Sequence, residues 1–137
     1  MIQFYFLSIV ANFFGGAALA ADYLGAKFPF FESMKGTFEK REVKIGLGFT
    51  ALIVGIFKLI VKPVGWAVPV AGDLIPALTG IIVGLVLLLD FFKQKAGPTK
   101  TNIEKVEKTV MTYKMPLGIL SIVVAFLHFL FPGALLL

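Results

Sequence analysis

The 137-residue sequence has no cysteine, one histidine, one tryptophan and a single arginine, and charged residues make up only 15% of it. Without cysteine there is no disulfide framework, no thiolate nucleophile and no sulfur ligand for a metal. One histidine cannot supply the three or so protein ligands of a catalytic zinc, nor both axial ligands of a haem. No Ser/His/Asp set, phosphate-binding glycine loop or carboxylate pair deep in an apolar stretch is present, so the chain reads as non-catalytic, without metal or cofactor. The scarcity of charge also excludes a soluble domain, which coats itself with about 25% charged residues.

What is present is apolar: 58% of the residues, fifteen of them phenylalanine, with a mean hydropathy of +0.94. Four stretches approach the roughly 20 helical residues needed to cross a bilayer core, at about 3–21, 45–61, 74–92 and 115–137. Continuous runs without strict alternation favour helices over barrel strands. Ala18-Leu19-Ala20 mimics a signal-peptidase site, but no basic segment precedes the apolar run, so the first stretch is expected to be a retained span. The expected fold is an all-α integral membrane protein, one domain of four transmembrane helices with a short amphipathic cytoplasmic helix.

Cations sort sharply between the connections. Lys27, Lys35, Lys40, Arg41 and Lys44 follow the first span, and Lys93, Lys95, Lys100, Lys105, Lys108 and Lys114 follow the third. By the positive-inside rule both of these loops face the cytoplasm and both termini face out, as in a multi-pass protein of a bacterial inner membrane. Trp66 fits the outer interfacial belt, and Lys58 is expected to snorkel towards that interface. Basic residues alternate with acidic ones in the loops, which argues against nucleic acid.

The chain also resembles itself. A shift of 70 residues lays Lys44 on Lys114, Leu47-Gly48 on Leu117-Gly118, Val54 on Val124 and Lys58 on His128, while a shift of 68 lays Gly16 on Gly84, Leu19 on Leu87 and Asp22 on Asp90. This suggests two tandem helical hairpins, residues 1–68 and 69–137, related by an axis along the membrane normal.

Small residues recur four apart in each span: Ala11 and Gly15, Ala51 and Gly55, Gly80 and Gly84, Ser121 and Ala125. Such pairs let helix backbones approach closely in lipid. Packing within one bundle is preferred here over a homodimer face. Asp22 and Asp90 oppose the dipole at the ends of their helices, so ion pairs Asp22–Lys44 and Asp90–Lys114 are expected. Asn12 is expected to hydrogen-bond a neighbouring helix, and His128 to lie at the outer interface.

In the second cytoplasmic loop, Thr101-Asn102-Ile103-Glu104 signals a helix start, and Ile103, Val106 and Val110 share a face. Together with Phe30, Phe31 and Phe38 of the first loop they are expected to cover a partner or the bilayer surface. These features point to a small accessory or structural subunit of a larger membrane complex, with lipid and either other integral membrane subunits or a second copy as its partners. The alternative is a small transporter or channel working as a homo-oligomer.

Overall fold

The structure, a computed structural model, describes residues 2–60, 74–95, 97 and 100–131. Among them every regular element is helical: α1 (Ile2–Leu19), α2 (Ala21–Lys27), α3 (Pro29–Phe38), α4 (Arg41–Ile60), α5 (Leu74–Leu87), α6 (Leu89–Lys95) and α7 (Lys100–Leu130). Three helices, α1, α4 and α7, are long and apolar enough to cross a membrane, whereas α5 is an apolar helix of 14 residues.

The expected first and third spans are each divided by a single residue, Ala20 and Leu88, with short helices α2 and α6 beyond. The i→i−4 ladder nevertheless runs across both breaks: Ala20 N–H donates to Gly16 O (3.0 Å) and Leu24 N–H to Ala20 O (2.9 Å), as Leu88 N–H does to Gly84 O (3.1 Å) and Phe92 N–H to Leu88 O (2.9 Å). The second expected span begins earlier, at Arg41. The fourth differs most. The amphipathic segment and the span form one 31-residue helix that carries Pro116 internally. A proline inside a helix costs one hydrogen bond, which a packed neighbouring helix can offset. Gly97, at φ +52°, makes the left-handed turn before this helix, a conformation that strains any residue with a Cβ. The expected end of that span, residues 132–137, and the Trp66 turn lie outside the described residues.

Packing follows from the small residues. α1 lies against α7 and α4 against α5, while α1 and α5 meet between these two pairs. A Cβ on Gly16 would lie 2.6 Å from the carbonyl of Gly118, and one on Gly84 would lie 2.7 Å from the carbonyl of Gly48. At both crossings backbone touches backbone, and dispersion contact takes the place of the hydrophobic drive that lipid cannot supply. The two crossings are equivalent at the offsets of 68 and 70. α2 and α6 begin and end 68 residues apart, and α4 and α7 end 70 apart.

Candidate functional site on the bundle axis

The buried residues of α4 are Gly48, Ala51, Val54, Gly55 and Lys58, which fall on one face at helical spacing. Lys58 therefore points inward with the small residues instead of snorkelling, and only 7% of it is exposed. On α7, Ser121, Val124, Ala125 and His128 occupy the equivalent positions, and His128 is fully buried. The two meet: Lys58 Nζ and His128 Nε2 are 2.8 Å apart. Tyr5 of α1 covers them, with Lys58 Nζ 5.7 Å from the centre of its ring and the His128 ring 4.7 Å away, centre to centre. Its hydroxyl donates to the carbonyl of His128 (2.7 Å), one of the carbonyls that the end of α7 leaves without an intrahelical partner.

One to two helical turns deeper lies a second polar group. Asn12 Nδ2 donates to the carbonyl of Pro76 in α5 (3.1 Å), and Ser121 Oγ donates to the carbonyl of Asn12 (2.7 Å). Asn12 and Ser121 are 1% and 0% exposed, so both hydrogen bonds form away from solvent. Ser8, also buried, lies on α1 between Tyr5 and Asn12. Beyond Asn12 the interior closes on Gly16, Gly48, Gly84, Gly118 and Leu88.

Each site residue singled out in the sequence has a definite place, apart from one side chain. Ala11, Gly15, Ala51, Gly55, Gly80, Gly84, Ser121 and Ala125 are all buried inside the bundle. Asp22 bonds Lys35 at 3.0 Å, and Lys44 and Lys114 add only their longer-range field. The hydrogen bond and charge of Lys35 hold the Asp22 carboxyl below its ordinary range. The side chain of Asp90 lies outside the described residues, and with it the pair expected with Lys114. At the same end Lys93 bonds Glu107 at 2.8 Å, and Arg41 bonds Gln94. The six residues expected to form a docking surface are divided. Phe30 and Val106 are exposed, Phe31, Ile103 and Val110 are half-buried, and Phe38 is buried in the core. Among the described residues no group of three or more His, Asp or Glu side chains is placed to hold a metal ion.

Depth along the span points Lys58 to the outer interface, whereas its helical face turns it inward. Its spacing from Ala51, Val54 and Gly55, repeated by His128 from Ser121, Val124 and Ala125, was the available signal.

A protein-family model matches residues 1–128. An uncharacterized protein of Treponema pallidum (strain Nichols) is 30% identical over 141 residues, covering 100% of both chains. The chain belongs to this family. No solved structure matches.

Proposed function

We propose that the chain is a non-catalytic, four-span protein of a bacterial inner membrane, two hairpins in tandem, serving as an accessory or structural subunit of a larger membrane complex. α5 and α6 together run over 22 residues from Leu74 to Lys95, long enough for the fourth span. The lysine-rich end is the cytoplasmic one, by the same charge asymmetry that orients other membrane proteins.

The observation that carries this reading is the use made of the small residues. They close the inner half of the bundle by backbone contact, which suits a packed scaffold better than a passage. Docking is then left to the outside. At the lysine-rich end Phe28, Phe30 and Val106 are more than half exposed. α3 and the start of α7, which carry Phe30 and Val106, both lean on the core cluster through Phe31, Met34 and Val110. The experiment is co-purification from native membranes of the Phe30→Ser, Val106→Ser double variant, at expression matched to wild type. Loss of the co-purifying membrane proteins with the spans still inserted supports a subunit role, and full retention removes this surface from it.

A second reading, a homo-oligomeric small transporter, is favoured by one specific feature, the ionisable pair Lys58–His128 inside an apolar bundle. A protein that purifies from mild detergent as a homo-oligomer with no other subunit favours that reading over the first.

A further inference from the structure

We propose that a cleft between the start of α4 and the joined ends of α5 and α6 binds the phosphate of an anionic phospholipid headgroup, with Arg41 and Lys44 as its cationic donors and the acyl chains lying along α4. The inference rests on the four-span reading in one respect: Leu74–Lys95 crosses the bilayer and sets the cleft at headgroup level.

The cleft has a volume of about 290 Å³, close to the roughly 300 Å³ at which small-molecule sites begin. Its polar wall is made by Arg41, Lys44, Lys93 and Gln94, and its apolar floor by Ile45, Leu87 and Phe91. Lys93 is engaged by Glu107 and is left out of the donors. Arg41 spends one guanidinium N–H on Gln94 Oε1 and keeps the others in a planar fork that matches two phosphate oxygens. That bond leaves the amide N–H groups of Gln94 as further donors on the same wall. Lys44 is half-buried, and among the described residues its ammonium makes no ion pair or hydrogen bond.

Charge favours an anion here. Arg41 and Lys44 stand three apart on α4, a like-charge spacing that destabilises a helix until an anion bridges it. α4 begins at Arg41, and the amino end of this 20-residue helix adds its partial positive charge to the same wall. The carboxylate at the rim, Glu39, is exposed and has Lys35 at 3.9 Å, so it offsets the two cations only in part. The side chain of Asp90 on α6 lies outside the described residues. On the offsets of the proposed tandem hairpins Arg41 falls on Met111 and Gln94 on Ala26, and only Lys44 keeps a counterpart, Lys114. The fold of a hairpin therefore does not by itself call for this set of donors.

The floor of the cleft points to lipid as the source of the phosphate. Phe91 meets Phe49 of α4 edge-on, with ring centres 5.6 Å apart. From Phe49 the exposed residues Ile53 and Ile56 continue along the same face of α4. A headgroup seated between Arg41 and Lys44 has this apolar track for its acyl chains, whereas a free phosphate would leave the track unused. Basic pockets between spans on the cytoplasmic side hold anionic headgroups in the same way.

The full chain in a neutral detergent is titrated with phosphatidylglycerol, phosphatidylethanolamine or phosphatidylcholine, and bound lipid is measured by native mass spectrometry. Phosphatidylglycerol is expected to bind as one preferred adduct, and Arg41→Gln and Lys44→Gln should each weaken it about five-fold. Arg41→Lys should also weaken it, because it keeps the charge without the fork. Lys108→Gln and Lys114→Gln remove the same charge outside the cleft and should leave the affinity unchanged. Equal binding of the three lipids overturns the proposal, as does an equal loss from the Lys108 and Lys114 variants. Inorganic phosphate at the same concentration should not displace the lipid, and displacement would overturn lipid as the source. A spin label at Gly46→Cys, where a side chain meets nothing within 4 Å, reports depth in nanodiscs. Headgroup depth without a preference for phosphatidylglycerol overturns this inference and leaves the four-span reading standing, whereas a label in bulk water overturns both.

Discussion

Asn12 and Gly80 face each other across the interface of α1 and α5, with the carboxamide oxygen of Asn12 3.5 Å from the place a Cβ on Gly80 would occupy. Gly80 leaves room for the amide, and the amide spends its donor on Pro76 O of the same helix. Interhelical hydrogen bonds in membranes average about 0.6 kcal/mol and reach about 1.7. Asn12→Ala is therefore expected to lower stability by roughly 1 kcal/mol, and Asn12→Ala with Ser121→Ala by less than the sum of the single losses, because they share one network. Thermal unfolding in a fixed detergent measures the cycle, and strict additivity would mean that the two groups act separately.

Glycines at backbone crossings should respond differently from those in open space. A Cβ on Gly84 would meet Gly48 O and Leu52 N at 2.7 Å, whereas on Gly36 or Gly46 it would meet nothing within 4 Å. Gly84→Ala should cost about 1–3 kcal/mol through overpacking, and Gly84→Leu more. Gly36→Ala and Gly46→Ala should be neutral or gain up to about 1 kcal/mol from helix propensity. Equal effects at Gly84 and Gly46 would show that the crossing is not a close one.

The Asp22–Lys35 pair makes a prediction with a sign. Lys35 holds the Asp22 carboxyl below its ordinary range, so the folded state binds that proton less readily than the unfolded chain does. Its contribution is complete above the ordinary carboxylate range, near pH 4, and is lost as pH falls through the depressed folded value. The Asp22 side chain is 81% exposed, which keeps the effect small. Asp22→Asn should flatten the acid limb of a stability profile below about pH 4. Coupling in a double-mutant cycle should appear with Lys35 and be weaker with Lys44.

Orientation is tested with the cysteine-free background. A cysteine at Gly36 should be protected from an impermeant thiol reagent in intact cells, and one at Gly65 should react. The reverse pattern would invert the topology proposed for the lysine-rich loops.

Much of the helical content was legible in the sequence, because uncharged apolar runs long enough to cross a bilayer have few alternatives to a helix. The breaks at Ala20 and Leu88 were not legible, since each run stays apolar through them. The joining of the amphipathic segment to the last span was hidden by Pro116, which reads as a boundary until packing holds the helix through it. Depth alone pairs Asp22 with Lys44. The turn at Phe28-Pro29 instead folds α3 back along α2 and brings Lys35 to it first. At the other end of the bundle the polar pair was written in the helical spacing of Lys58 and His128, but spacing names a face without naming what lies opposite.

The tandem hairpins proposed above have a consequence for what their axis can hold. In a symmetric dimer of identical hairpins, any residue on the axis confronts its own copy: ammonium meets ammonium, and amide meets amide. One continuous chain escapes that restriction. It sets a lysine beside an imidazole 70 residues later, and a carboxamide against a glycine that yields it space. Covalent linkage of the halves thus permits broken symmetry at the one line where a homodimer must keep it, and there unlike polar groups meet and large meets small.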